Sequence, residues 1–345
     1  MKVLVVAGGT GGHISPGCAM AEELRLRKHD VEFLTLVRNE AYADLKSAAF
    51  KVHSYAAPPF PSGIGSLIPY PFKLMSALLD AIIPVRRADI VLGLGGYPTL
   101  PALLAAVFFR KKIYLCEQNA VPGQVTRFFA RFARHIFATF PISRLSNVSL
   151  VGNPVRAKLR SAAAGHEWPS SSKSILILGG SQGARQLNEM VVGLLLDQAW
   201  SETYRWFLQC GENNLESVRA KLGERENVTL FGFHSNIQDL YKQAHVLVSR
   251  SGAGILTEAM LFGLPMILVP LASSKDGHQL ANARICESGG AARVLNQTDS
   301  DPAGLANILR ELLENEATTA AMALASRKLF HDNAALRIAE AIEAG

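Results

Sequence analysis

Lys2-Val3-Leu4-Val5-Val6-Ala7-Gly8-Gly9-Thr10-Gly11-Gly12-His13 decides the fold. An unbroken apolar run, β-branched at Val3, Val5 and Val6, enters a glycine-rich turn. A strand without polar alternation is buried on both faces, which belongs to parallel sheets covered by helices. The same unit recurs 171 residues later, where Ser174–Leu178 enters Gly179-Gly180-Ser181-Gln182-Gly183. Val31–Leu36, Ile90–Leu94, Ile113–Cys116 and Ile136–Thr139 read as further strands of a first set. Arg205–Gln209, Val228–Phe231, Val246–Ser249 and Met266–Val269 join Ser174–Leu178 in a second, with helical patterns between. The expected fold is α/β: two doubly wound, Rossmann-like parallel-sheet domains, joined near residues 155–173, where 161–173 has a connector's composition. Ligands of such sheets sit at the carboxyl ends of the strands, so the glycine loops are expected to line a cleft between facing domains.

Length and composition agree. A chain of 345 residues has room for two domains, and 49% hydrophobic with 19% charged residues excludes a disordered or collagen-like chain. Net charge is +6, unevenly spread: residues 1–155 hold 17 basic and 9 acidic side chains, the remainder 18 and 20. The first half is therefore a candidate to meet an anionic surface. The opening apolar run is too short for a signal-peptide core, and Leu100–Phe109, ten residues with Pro101 inside, is too short to cross a bilayer. Cys18, Cys116, Cys210 and Cys286 form no C-x-x-C pair, which suits a reducing compartment.

The first glycine loop departs from a dinucleotide fingerprint. With Gly9-Thr10-Gly11 as G-x-G, the third glycine falls on Ile14, and the second strand ends Leu36-Val37-Arg38 without a ribose-binding acid. Arg38 alone keeps an NADP reading open. No Gly-Lys pair exists, so there is no P-loop. His13, at the start of the following helix, is read either as a general base or as a capping residue. The densest polar cluster is Ser249-Arg250-Ser251-Gly252-Ala253-Gly254-Ile255-Leu256-Thr257-Glu258, closed by Gly263 and Pro265. Amides at that helix start suit a diphosphate, and Glu258 one turn in suits a ribose diol or merely the helix dipole. Asp299-Ser300-Asp301 offers a D-x-D metal reading, against which Asp301-Pro302 reads as an N-cap with proline at the first helical position.

Six motifs then occur in order: Gly8–His13, Glu117-Gln118-Asn119, Gly152-Asn153-Pro154-Val155-Arg156, Gly179–Arg185, Arg250–Ala253 and His278-Gln279-x-x-Asn282-Ala283. Together they resemble the MurG family, the N-acetylglucosaminyltransferases of bacterial peptidoglycan synthesis, of glycosyltransferase family 28 and GT-B fold. The resemblance covers nearly the whole chain. It implies an N-terminal acceptor domain over 1–155, with a helix 326–345 packing back on it, and a donor domain over 156–325. It implies inverting transfer from UDP-N-acetylglucosamine to the muramoyl 4-hydroxyl of undecaprenyl-pyrophosphoryl-N-acetylmuramoyl-pentapeptide, with no cofactor and no metal.

By motif, His13 is the expected catalytic base. The expected donor-binding set is Thr10, Gly11, Gly12, Asn119, Arg156, Ser181, Ile237, Ala253, Gly254, Ile255, Leu256, Thr257, Glu258 and Gln279. In it Ser181 meets the diphosphate, Glu258 the ribose and Gln279 the sugar hydroxyls, while backbone near His234 and Ile237 reads the uracil. Tyr97, in Gly95-Gly96-Tyr97-Pro98, and Glu117 are acceptor-side candidates, Glu117 being the second candidate base. The chain departs from the family at Cys116, where histidine is usual, at Gly17-Cys18 and at Gly277.

The segment 71–87 places apolar pairs at 74/75, 78/79 and 82/83 beside Lys73, Arg86 and Arg87. This is a helical face suited either to the core or to an anionic membrane surface. The implied location is the cytoplasmic face of the bacterial inner membrane, held peripherally, with no nucleic-acid partner: the basic residues flank an apolar helix and are not interleaved with aromatics. Another enzyme of this fold acting on UDP-N-acetylglucosamine, a 2-epimerase or a lipid glycosyltransferase, is the alternative.

Overall fold

The computed structural model describes residues 1–9, 11–39, 45, 50–61, 63–143, 145–170, 173–180, 183–296 and 301–345. These form two compact units, Met1–Arg156 with His331–Gly345, and Ala157–Phe330.

Unit 1 holds a seven-stranded parallel sheet in the order β3-β2-β1-β4-β5-β6-β7. The strands are β1 (Lys2–Val6), β2 (Asp30–Leu36), β3 (Lys51–Tyr55), β4 (Ile90–Gly93), β5 (Lys112–Glu117), β6 (His135–Ala138) and β7 (Val148–Leu150). Its helices include α1 (Gly11–Leu26), α2 (Tyr70–Arg87), α3 (Leu100–Phe108) and α4 (Gln124–Phe129). Successive β1 side chains point to opposite faces, and both faces are dry. Val3 and Val5 pack with Ile14, Cys18 and Leu24 of α1, whereas Leu4 and Val6 pack with Ala77 and Ala81 of α2 and Leu103 of α3. Full burial of each such side chain contributes about 1.5–3 kcal/mol, which explains the continuous apolar runs.

Unit 2 repeats the plan with six parallel strands ordered β10-β9-β8-β11-β12-β13. They are β8 (Ser174–Leu178), β9 (Arg205–Gln209), β10 (Val228–Phe231), β11 (Val246–Ser249), β12 (Met266–Leu268) and β13 (Ala292–Val294). The helices that matter below are α5 (Arg185–Leu195), α6 (Ile237–Gln243), α7 (Ala253–Phe262), α8 (His278–Ser288), α9 (Pro302–Glu314) and α10 (Glu316–Leu329). In both sheets the chain order reverses direction beside the first strand, between β1 and β4 and between β8 and β11. These are the switch points where doubly wound sheets bind ligands.

Three features differ from expectation. Strands β3, β7 and β13 carry mixed sequences (Lys-Val-His-Ser-Tyr, Val-Ser-Leu, Ala-Arg-Val) without a continuous apolar run, because edge strands are only partly buried. The connector region is folded onto unit 2: a short helix Ala157–Ala163 leads to Trp168, whose indole donates to the His245 carbonyl at 2.9 Å and lies 4.5 Å from the His245 ring. The expected final helix from Ser326 is two elements, since α10 runs to Leu329 and α11 (Ala334–Ala344) follows after a break. Ala335, Ile338, Ala339 and Ile342 of α11 join the α1 core of unit 1.

Candidate functional site

At the unit 1 switch point, β1 leads through Gly8-Gly9 into α1, so Gly11 and Gly12 open the helix and His13 is its third residue. The half-buried His13 imidazole lies against the β4 loop: a Cβ on Gly96 would stand 3.8 Å from its Cε1 and Nε2. Gly96 has φ +75, a conformation that costs a side-chain-bearing residue, so this turn favours glycine. Two residues after β2 brace both loops. Asn39 Oδ1 accepts from the Gly9 amide at 3.1 Å, and Arg38 donates from Nη2 to the Tyr97 hydroxyl at 2.8 Å. Arg38, the residue that kept an NADP reading open, is therefore engaged with the Tyr97 hydroxyl.

Glu117, at the end of β5, is 3% exposed and fully occupied. Its Oε1 accepts from the Asn119 amide at 3.1 Å, and Oε2 accepts from the Gly123 amide at 3.1 Å and Thr126 Oγ1 at 2.6 Å. Burial pushes its carboxyl pKa up, against the lowering effect of these hydrogen bonds. The geometry makes Glu117 the organiser of the 117–126 loop that presents Asn119. Arg156 is half-buried at the end of unit 1.

At the unit 2 switch point, the β8 loop and the β11 turn lie side by side. Gly183 has φ +73, and a Cβ there would stand 2.5 Å from the Cys210 carbonyl oxygen, so the backbone approaches as only glycine permits. Helix α7 begins at Gly252, which has no side chain to cap it. The amides of Ala253, Gly254 and Ile255 occupy the first turn, where no intrahelical acceptor exists, and they form a natural seat for an anion. Leu256 and Thr257 are a different matter: the Leu256 amide is bonded to the Gly252 carbonyl at 3.1 Å, Thr257 Oγ1 donates to the Ala253 carbonyl at 2.8 Å, and both side chains are buried. The Leu256 amide and the Thr257 hydroxyl are thus committed within the helix. Gly263, with φ +65, ends the helix as expected.

Glu258 is half-buried one turn into α7, where Tyr241 of α6 donates to its Oε2 at 2.8 Å. Tyr241 is locked in turn by stacking on Phe262 at 5.2 Å. Nothing local in the sequence marks Tyr241, which lies on another helix 17 residues away. Half-buried Ile237 opens α6, close behind His234, whose Nδ1 accepts from the Asn236 amide at 3.2 Å. Gln279 sits in the first turn of α8, its Oε1 accepting from the Leu271 amide at 2.9 Å. Asp301 caps α9, its side chain accepting from the Gly304 amide at 2.6 Å, with Pro302 first in the helix. Thr10, Ser181, Asp299 and Ser300 lie outside the described residues.

The glycosyltransferase family 28 N-terminal domain profile matches residues 3–138, and the C-terminal domain profile matches residues 174–338. The chain is 35% identical over 347 residues to a Leptospira interrogans protein named UDP-N-acetylglucosamine--N-acetylmuramyl-(pentapeptide) pyrophosphoryl-undecaprenol N-acetylglucosamine transferase, covering 96% of each. A protein of the same name from Acidithiobacillus ferrooxidans is 34% identical, covering 99% of this chain and 96% of the relative. The crystal structure of Acinetobacter baumannii MurG superposes with a TM-score of 0.76 at 26% identity, covering 100% of this chain and 99% of that one. With both domain profiles matched in order and relatives similar end to end, the chain belongs to glycosyltransferase family 28.

Proposed function

We propose that the chain transfers N-acetylglucosamine from UDP-N-acetylglucosamine to the muramoyl 4-hydroxyl of undecaprenyl-pyrophosphoryl-N-acetylmuramoyl-pentapeptide, with inversion at the anomeric carbon. The observation that carries this reading is the pairing of Tyr241-oriented Glu258 with the uncapped amides of α7, in a chain whose full-length relatives are named for that reaction. Unit 2 is the donor side. Glu258 accepts from the ribose hydroxyls, the Ala253–Ile255 amides meet the diphosphate, and Gln279 meets the sugar. Unit 1 is the acceptor side, with Tyr97 and the loop organised by Glu117.

In the reaction the acceptor 4-hydroxyl oxygen bonds to the anomeric carbon as the bond from that carbon to UDP breaks. The hydroxyl proton passes to His13, a general base in this reading. The charge that develops on the departing diphosphate is met by fixed amide dipoles, which need no reorganisation during the step. Labelled UDP-N-acetylglucosamine with a short-chain lipid acceptor tests the reading. Label is expected in the lipid product only when acceptor is present. Conversion to UDP-N-acetylmannosamine without acceptor would instead identify a 2-epimerase.

The acceptor lies in a bilayer, and α2 supports a peripheral membrane location for unit 1. The apolar pairs of the sequence divide: Leu74, Leu78 and Ile82 are half-buried, whereas Phe72 (77% exposed), Met75, Leu79 and Ile83 point outward. The segment Gly65–Arg87 is long and apolar enough to span a bilayer by length and composition. However, Ala77, Ala81, Pro84 and Val85 are buried against the sheet, so α2 lies along the surface of unit 1. Lys73, Arg86 and Arg87 flank the outward stripe, and Lys111 donates to the Arg86 carbonyl at 2.8 Å near the exposed Phe108. Apolar side chains dipping among headgroups with cations beside them fit an anionic leaflet, at about 1 kcal/mol per cation. The protein is expected to sediment with vesicles containing phosphatidylglycerol, less so at high salt. Reversing Lys73, Arg86 and Arg87 to Glu should abolish most of that binding, and unchanged sedimentation would refute the membrane role of α2.

A further inference from the structure

Arg250 has no place in the chemistry above, yet it is the least expected charge in unit 2. It is 7% exposed at the carboxyl end of β11, and no carboxylate contacts it among the described residues. Burial lowers its pKa. A buried cation without a contacting carboxylate is costly and needs a reason. Its hydrogen bonds supply one. Nη1 donates to the Val269 carbonyl at 2.9 Å and the Pro270 carbonyl at 3.4 Å, where the chain leaves β12. Nη2 donates to Gln186 Oε1 at 3.3 Å, at the second residue of α5, just after the β8 glycine loop.

The next residue continues the tie. Ser251 Oγ donates to the Gln279 carbonyl at 2.7 Å, and Asn282 Nδ2 donates to the Ser251 carbonyl at 3.1 Å. The Leu271 amide, directly after the carbonyls held by Arg250, donates to Gln279 Oε1 at 2.9 Å. Gln279 is thus fixed from two sides, at its backbone by Ser251 and at its side chain by the strand end that Arg250 clamps. A cavity of about 370 Å³, lined by Gln186, Met190, Arg250, Val269 and Asp301 among others, flanks the guanidinium. The guanidinium therefore has room to leave these acceptors, and it holds them.

We propose that Arg250 is a positioning residue for donor-sugar recognition: it locks the start of α5 and the β12 exit to the β11 turn, and so sets the Gln279 amide that reads the sugar. This rests on the donor assignment of unit 2. Uridine and ribose recognition, by contrast, belongs to α6 and the body of α7, tied together through Tyr241 on Glu258 and Phe262. Only a planar fork spans two carbonyls and an amide oxygen; a lysine ammonium does not.

Calorimetry with UMP and UDP-N-acetylglucosamine separates the two parts. Arg250→Met is expected to weaken UDP-N-acetylglucosamine binding about tenfold while UMP binding stays within about twofold, the loss expected for one to two hydrogen bonds. Arg250→Lys should recover only part of the loss. Gln186→Leu, at an exposed position that does not threaten folding, should shift the sugar nucleotide alone, in the same direction and by less; it carries the test if Arg250→Met does not fold. Equal weakening of UMP and the sugar nucleotide would reduce Arg250 to a structural residue, and unchanged sugar-nucleotide affinity would overturn the proposal. A wild-type chain that binds UMP but not UDP-N-acetylglucosamine would refute the donor assignment itself.

Discussion

His13→Ala is expected to lower kcat by about 10²- to 10⁴-fold, the range of a lost general base, while the Kd for UDP-N-acetylglucosamine stays within about twofold of the parent. The split follows from placement. His13 stands in unit 1, in the first turn of α1 against Gly96, while Glu258 and the α7 amides, assigned to the ribose and the diphosphate, stand in unit 2. The rival base is Glu117, but both of its oxygens already accept hydrogen bonds from Asn119, Gly123 and Thr126. Taking a substrate proton there would dismantle the loop it organises. Unchanged turnover in His13→Ala would remove the imidazole from the chemistry.

Glu258→Ala is expected to raise the Kd for UDP by about 10²-fold or more. A carboxylate that accepts from a ribose diol makes two charge-assisted hydrogen bonds of about 1.5–3 kcal/mol each, and each 1.4 kcal/mol is a factor of ten. At saturating donor, kcat should fall far less, because the ribose contact is the same in the ground and transition states. Tyr241→Phe removes only the 2.8 Å bond that orients the carboxylate and should cost about fivefold, the value of one ordinary hydrogen bond. Unaltered UDP affinity in Glu258→Ala, read by calorimetry, would contradict the assignment.

The parts of this molecule legible in the sequence are those whose physics is local. Ser174–Leu178 and Val246–Ser249 show their strands without ambiguity because both faces are buried, and Asp301-Pro302 shows a helix start because capping acts within three residues. Gly263 marks the end of α7 for the same reason. Edge strands β3, β7 and β13 are not legible, since a half-exposed strand loses the pattern that marks it.

The site divides along the same line. His13 and Glu258 stand out because glycine loops and helix starts bracket them. Long-range pairings leave no local trace: Tyr241 with Glu258, Arg38 with Tyr97, and Arg250 with Gln186 and Val269 are joined only by the fold. Leu256 and Thr257 show what motif membership leaves out. Membership in a motif suggests contact, whereas the helix has already committed the Leu256 amide and the Thr257 hydroxyl.

In this reading the chain displaces UDP from an α-linked sugar nucleotide by direct attack of a muramoyl hydroxyl. The most direct measurement is the acceptor-dependent transfer assay, with the product linkage read by proton NMR at the anomeric centre. The expected product is the lipid-linked disaccharide with a β-configured N-acetylglucosamine, formed only when the acceptor is present. An α-linked product, or sugar consumed without acceptor, would contradict the account.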